Sequence, residues 1–230
     1  MAEVMLASKQ KYDGIAFSVP ACKKTIRRSG MTIGDQLDNM REVVKLAKTY
    51  SMLTRAYISY VMGSGYAKDI PPKEVNNIAT DLKAMGVDEI VLQDPIAGGS
   101  IPKLLELLSV LKVPTDSLSV HFYDTKYTGL ELVVAALSRG ISSITCSIGG
   151  LGRSQHYDTI LGSIGTEDLL FALECMGIKH EVNWKRTLKA GQIACELVGR
   201  ENLADVYKVD FEEMTEKYKG QFKELIAGLK

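Results

Sequence analysis

The chain has 230 residues, of which 46% are hydrophobic and 24% are charged, and this composition favours one substantial folded core over a disordered chain. Lysine plus arginine equals aspartate plus glutamate at 28 each, so no net charge attracts nucleic acid or an anionic membrane surface. No apolar run is long enough to span a bilayer, and the four scattered cysteines predict a reducing compartment rather than a disulfide framework.

Short apolar runs alternate with amphipathic stretches along most of the chain. The runs expected to form strands are residues 14–19, 54–61, 88–94, 118–124 and 141–148. The stretches expected to form helices between them are residues 33–47, 72–85, 101–111 and 129–137. This alternation is typical of parallel β/α units, whose crossovers are right-handed. The pattern predicts an α/β fold with about five parallel strands, either an open sheet or part of a (β/α) barrel.

The C-terminal segment carries one apolar stripe at helical spacing. Asp210 is a suitable N-cap with Glu213 three residues on, and apolar residues then recur on one helical face. These apolar residues are Phe211, Met214, Tyr218, Phe222, Leu225, Ile226 and Leu229. The stripe predicts a helical extension at residues 201–230, following a β/α body at residues 1–200. Two roles stay open for this helix: docking on the chain's own sheet, or binding a partner.

The carboxyl ends of the strands are where a (β/α) barrel carries its chemistry. The fourth predicted strand lies in SVHFYDTKYTG, which places His121 and Tyr123 on one face and Val120 and Phe122 on the other. A His-x-His pair would clamp a divalent ion, whereas this stretch offers one imidazole and a phenol, which is a poor ligand while protonated. Glycines follow the third and fifth strands, where they make either turns or a ligand-binding loop.

Six stretches between residues 54 and 201 form a distinctive ordered set. They are TRAYIS, GSGYAKDIPP, MGVDEIVLQDPIAG, VHFYDT, GGLGRSQHYDTILGSIGTEDLLFALECMGI and AGQIACELVGRE. With this set the chain resembles the 3-hydroxy-3-methylglutaryl-CoA (HMG-CoA) lyases of the DRE-TIM metallolyase family. The earlier stretch GIAFSVPAC is similar to the fourth β/α unit of that family's barrel. The resemblance implies a TIM-type barrel with its site at the carboxyl ends of the strands.

The resemblance also implies a metal site whose ligands this chain keeps only in part. The family's His-x-His motif falls on His121, Phe122 and Tyr123, and its metal-binding Asn falls on Ser163. The Arg-Asp-Gly motif of the family's first strand has no counterpart among these residues. Hard ions such as Mg²⁺ or Mn²⁺ require several oxygen or imidazole ligands. We therefore expect His121 to be a vestigial ligand and the chain to hold no metal or other cofactor.

Catalytic and substrate-binding positions are carried over from the resemblance in the same way. Asp94 is retained, whereas the catalytic Cys of the family's glycine-rich loop falls on Ser154, whose hydroxyl is a much weaker acid than a thiol. Both positions are therefore expected to be vestigial catalytic residues. Tyr57, Gly150 and Gly152 are the positions expected to contact substrate.

Three functions remain open at this point. The favoured one is a catalytically degenerate lyase-like protein that serves as a structural or scaffolding subunit of a larger assembly. The alternatives are an HMG-CoA lyase completed by a missing segment or partner and using Mg²⁺ or Mn²⁺, and a non-catalytic acyl-CoA-binding module. Five β/α units cannot close an eight-stranded barrel, so we expect other chains, or further copies of this one, to cover the open sheet edges. The mitochondrial matrix is the expected compartment, with the cytoplasm as the alternative.

Overall fold

Five parallel strands form one sheet in a computed structural model, which describes residues 2–27, 30–65, 67, 69–124, 128–152 and 162–219. The strands are β1 Gly14–Pro20, β2 Leu53–Ser59, β3 Glu89–Asp94, β4 Leu118–Phe122 and β5 Ser143–Ile144. Their order in the sheet is their order in the chain, and every neighbouring pair is parallel. The predicted fold, a partial (β/α) barrel of five parallel strands, is confirmed.

Helices connect the strands and cover one face of the sheet. Up to the last strand they are α1 Ala2–Lys9, α2 Lys23–Arg27, α3 Ile33–Thr49, α4 Pro72–Ala84, α5 Ile101–Val110 and α6 Gly129–Ser138. After the sheet come α7 Thr166–Met176, α8 Trp184–Leu197 and α9 Phe211–Tyr218. Local signals set the helix ends: Thr32 and Asp35 form a reciprocal capping box at the start of α3, and Gly177 ends α7 in a left-handed conformation with φ 66°.

The two-residue period of the strands separates an apolar face from a polar one. Val120 and Phe122 of β4 are fully buried under the helices, as is Leu92 of β3. The alternate residues Gln93 and His121 point to the concave face, where they lie side by side in the strand register. The sequence assignment of the two faces of β4 is therefore confirmed, and the core lies between the sheet and its helices.

The fifth strand is much shorter than the sequence predicted. Residues 141–148 were expected to form it, but pairing with β4 covers only Ser143–Ile144. Thr145 still donates its backbone N–H to the carbonyl oxygen of Val120, and Ser147 then donates to that of Ile164 instead. A second stretch of chain therefore competes for the backbone groups of this segment, and the strand ends where the partner changes.

The sheet has two edges that no described strand covers. β1 pairs only with β2, and β5 pairs only with β4, among the residues that the structure describes. Helix α1 packs near the first edge through Val4, which contacts Ala47 and Met52 in a small apolar cluster. The described sheet is thus open rather than closed into a barrel.

The start of the predicted C-terminal helix docks on the chain itself. Asp210 caps α9 by accepting the backbone N–H of Glu213 at 3.0 Å, as predicted. Phe211 stacks on Trp184 of α8 with ring centroids 4.1 Å apart, and Phe171 of α7 meets it edge-on. The remaining stripe residues from Phe222 onward lie outside the described residues. The domain boundary near residue 200 stays a prediction.

We predict that Phe122→Ala lowers the free energy of unfolding by about 3–5 kcal/mol, because it removes a buried ring from between β4 and the helices. Leu53→Ala is the matched control, since Leu53 is 63% exposed, and its change should stay within about 0.5 kcal/mol. Urea unfolding followed by circular dichroism measures both. Equal effects of the two substitutions would contradict the assignment of the faces.

Candidate active site at the carboxyl ends of the strands

A cavity of about 470 Å³ opens on the concave face at the carboxyl ends of β1 to β4. Side chains that line it include Ser18, Tyr57, Ser59, Gln93, His121 and Tyr123. Ser59, Gln93 and His121 are direct neighbours in the strand register, so the parallel sheet alone brings them to one level. The predicted site residues His121 and Tyr123 and the predicted substrate contact Tyr57 therefore meet in one cavity.

Both ring nitrogens of His121 are engaged by neutral partners. Gln93 Nε2 lies 3.3 Å from His121 Nδ1, and Ser59 Oγ donates to Gln93 Oε1 at 2.6 Å, which directs the amide nitrogen toward the ring. With Nδ1 accepting from Gln93, the proton of the neutral imidazole lies on Nε2, which donates to Ser163 Oγ at 2.8 Å. These hydrogen bonds hold one tautomer of His121.

Burial keeps this cluster uncharged at neutral pH. Desolvation lowers the pKa of His121 to about 4. Desolvation also raises the pKa of Tyr123, against the opposing effect of its hydrogen bond with Ser163. The rings of His121 and Tyr123 stack with centroids 5.1 Å apart, and Tyr57 meets His121 edge-on at 6.0 Å. The cluster is therefore a set of neutral hydrogen-bonding groups at pH 7.

The groups at His121 do not fit a hard divalent ion. Neither imidazole nitrogen has a free lone pair, and the groups beside it are the protonated phenol of Tyr123 and the neutral hydroxyl of Ser163. Mg²⁺ and Mn²⁺ favour carboxylates, and octahedral coordination needs several protein ligands or bound waters. In the described part of the chain, no three His, Cys, Asp or Glu side chains come close enough to share a metal ion.

Asp94 lies at the end of β3, as the sequence predicts, but on the helix-facing side of the strand. Its side chain is fully buried, and its Oδ2 accepts the backbone N–H of Gly99 at 2.7 Å. The carboxylate thus holds the turn that follows β3. A catalytic role for Asp94 stays a prediction, and the other predicted catalytic position, Ser154, lies outside the described residues.

Close packing and backbone conformation explain the glycines of the loop after β5. Gly149 and Gly150 have positive φ angles of 59° and 62°, which residues other than glycine rarely adopt. The backbone N–H of Gly149 donates to both carboxylate oxygens of the buried Glu167, at 3.0 and 2.9 Å. At Gly152 an added Cβ would lie only 2.6 Å from Ser147 Oγ. Contact of Gly150 and Gly152 with a substrate stays a prediction.

Two acids near this loop were missed by the sequence reasoning. Burial raises the pKa of Asp168 to about 6, although backbone N–H groups of Val206 and Asp205 donate to it and oppose the shift. Burial also raises the pKa of Asp124. The signal for Asp168 was present, because acids in the first turn of a helix bind nearby N–H groups, but the partners come from a distant segment.

Taken together, a parallel β/α sheet with a polar cavity at the carboxyl ends of its strands defines a partial barrel of the TIM type. The family model described as HMGL-like matches residues 1–194, and the chain belongs to that family.

Relatives of this chain are named as lyases. It is 32% identical over 178 residues to mitochondrial hydroxymethylglutaryl-CoA lyase of Bos taurus, and the aligned region covers 76% of this chain and 55% of the relative. It is 32% identical over 193 residues to cytoplasmic 3-hydroxy-3-methylglutaryl-CoA lyase of Homo sapiens, covering 82% of this chain and 51% of the relative. The chain therefore spans about half the length of these curated relatives.

A solved structure shows the same fold. The crystal structure of hydroxymethylglutaryl-CoA lyase from Pseudomonas aeruginosa superimposes with a TM-score of 0.87 at 27% identity. The match covers 94% of this chain and 72% of that chain. The five strands and their helices are therefore a portion of the lyase barrel.

We predict that the contribution of His121 to the stability of the protein falls as pH decreases from about 6.5 to about 4, because the unfolded chain binds a proton at His121 and the folded chain does not. The full contribution is on the order of 3 kcal/mol. Asp168 has the opposite effect on stability. Its raised pKa means that, as pH falls through about 6, the folded chain binds a proton before the unfolded chain does, which stabilises the fold.

The difference between wild type and His121→Gln isolates the histidine, because both proteins keep Asp168. Unfolding in urea at several pH values should show a difference that changes through this pH window. A pH-independent difference between wild type and His121→Gln would contradict the buried neutral state of His121.

We predict that Gly152→Ala destabilises the fold by about 1–3 kcal/mol, because the new methyl group overlaps the hydroxyl groups of Ser163 and Ser147, and Ser163 is held in place by His121. Gly34→Ala in α3 is the control, since its nearest neighbour would be Thr32 Oγ1 at 3.5 Å. A helical alanine in place of glycine should stabilise by up to about 1 kcal/mol. Thermal unfolding of both variants provides the measurement, and a neutral Gly152→Ala would contradict the close packing.

Proposed function

We propose that this chain is a catalytically degenerate member of the HMG-CoA lyase family that serves as a structural subunit of a larger assembly. The neutral, hydrogen-bonded His121 carries the proposal. Where the family resemblance puts metal ligands, Tyr123 and Ser163 instead complete a set of neutral hydrogen-bonding groups. A lyase of this type needs its ion to polarise the substrate, so a site without ion ligands supports loss of turnover.

The surface next to the sheet edges supports a role as a subunit. Leu6 and Tyr12 are 56% and 60% exposed, and Tyr12 lies just before β1, whose far edge no described strand covers. At the end of α8, Leu197 and Val198 are 82% and 58% exposed. Large exposed apolar side chains next to an unpaired strand favour association with another chain. The partners we propose are other protein chains or further copies of this one.

Two other functions compete with this proposal. A metal-dependent carbon–carbon lyase is favoured by the names of the relatives, and it would require Mg²⁺ or Mn²⁺ and further residues. A non-catalytic acyl-CoA-binding module is favoured by the cavity at the carboxyl ends of the strands. We propose the mitochondrial matrix as the compartment, with the cytoplasm as the alternative, because the relatives include lyases named for each. None of the described helices is long and apolar enough to cross a membrane.

We predict that the purified protein binds no Mn²⁺ at His121 and releases no acetyl-CoA from HMG-CoA with Mg²⁺ or Mn²⁺ added. Electron paramagnetic resonance titration measures the ion, and a coupled acetyl-CoA assay measures turnover. The variant that combines Tyr123→His with Ser163→Asn is the matched positive control. It adds an imidazole and an amide oxygen beside His121, so it should gain saturable Mn²⁺ binding.

The assembly itself needs a separate measurement. Light scattering on the purified chain and quantitative recovery of proteins that co-purify from the native source test the subunit role. We expect a defined oligomer or a complex of fixed stoichiometry. If wild type shows metal-dependent turnover and His121→Gln abolishes it, the lyase function would be favoured over the structural one. A stable monomer without a fixed partner would instead contradict the structural role.

A further inference from the structure

The described residues that line the cavity on the concave face are all uncharged. The side chains that face it are hydroxyls, an amide, a neutral imidazole and aromatic rings, and no lysine, arginine, aspartate or glutamate stands among its described lining residues. Its volume of about 470 Å³ lies within the range of small-molecule sites, roughly 300–1,000 Å³. A ligand here meets described groups that can donate and accept hydrogen bonds and that carry no charge.

Internal hydrogen bonds decide which of these groups are left for a ligand. Gln93 and His121 are engaged with each other and with Ser59 and Ser163, so they act as a scaffold for the cavity wall. Ser59 donates its proton to Gln93 and keeps lone pairs that can accept. Ser18 Oγ makes no hydrogen bond within the described residues, so it can donate and accept.

The phenols supply the complementary donors. Tyr57 hydrogen-bonds with Arg55, whose guanidinium can only donate, so the phenol oxygen accepts and its own proton stays available. At Tyr123 the hydroxyl proton of Ser163 is directed to the phenol oxygen, because His121 Nε2 donates to Ser163 Oγ. The Tyr123 proton is then also available. Both rings stand at the cavity wall beside His121.

We infer that this cavity binds an uncharged polyhydroxylated ring compound, a monosaccharide or a cyclitol. Each hydroxyl of such a ligand can accept from a phenol and donate to a serine oxygen, and its C–H faces can pack on the tyrosine rings. The described lining offers an ionised dicarboxylate no lysine or arginine, and Arg55, which contacts Tyr57, is already paired with Glu89. The carboxylates would therefore exchange water for neutral groups, which is unfavourable. The inference rests on the proposed function, because a bound divalent ion would reverse this preference.

Saturation-transfer difference NMR on the full chain, with EDTA present, tests the inference. The probes are D-glucose and myo-inositol, with glutarate as a charged compound of similar size. We expect saturable binding of at least one neutral probe and at least about tenfold weaker binding of glutarate. Absence of saturable binding by both neutral probes, or glutarate binding as tight as theirs, would overturn it.

Variants locate the binding on the protein. Tyr57→Ala should weaken the neutral probe by about tenfold or more, and Tyr57→Phe, which keeps the ring, should weaken it less. Tyr50→Ala is the control, since Tyr50 is 44% exposed and outside the lining. Circular dichroism confirms that each variant is folded. Unchanged affinity in folded Tyr57→Ala would overturn the location.

The two proposals fail in different experiments. Failure of both neutral probes, with no Mn²⁺ bound and no turnover, would remove the ligand inference and leave the proposed function standing. Mn²⁺ binding at His121 in wild type would remove the proposed function, and with it the reason for an uncharged ligand.

Discussion

The two-residue period of the parallel strands is the constraint on which the rest of this protein depends. It places Leu92, Val120 and Phe122 under the helices, and the same alternation turns Gln93 and His121 to the concave face. Since parallel strands all end at the same side of the sheet, the polar alternates converge in one cavity. The core and the site are therefore opposite faces of the same strands, and a shift of register by one residue would destroy both.

The chemical character of the cavity follows from how its polar groups satisfy one another. A buried imidazole beside carboxylates would be held in the charged or metal-binding form, but His121 lies between the amide of Gln93 and the hydroxyl of Ser163. Both partners are neutral, and burial penalises the imidazolium, so the ring stays neutral and oriented. Tyr123 and Ser163 thus join His121 in one hydrogen-bonded cluster of neutral groups.

Most of the fold could be predicted, because periodicity and turn residues are local signals. Strands β1 to β4 and helices α3 to α6 lie close to their predicted positions, and His121 and Tyr123 share the face that the alternation assigns. The fifth strand was overestimated, since the segment after Ile144 exchanges its partner for residues near Ile164. Gln93 was also missed, because its role depends on a residue of the next strand, His121, which lies beside it in the sheet.

The sequence by itself determined most of the element types, the parallel α/β class and the family resemblance. These follow from residue identity and spacing along the chain. Only the tertiary structure decided that Gln93 and Ser163 engage both nitrogens of His121, and that Asp94 holds a turn at Gly99. Protonation and hydrogen bonding depend on burial and on groups far apart in the chain, which no local pattern encodes.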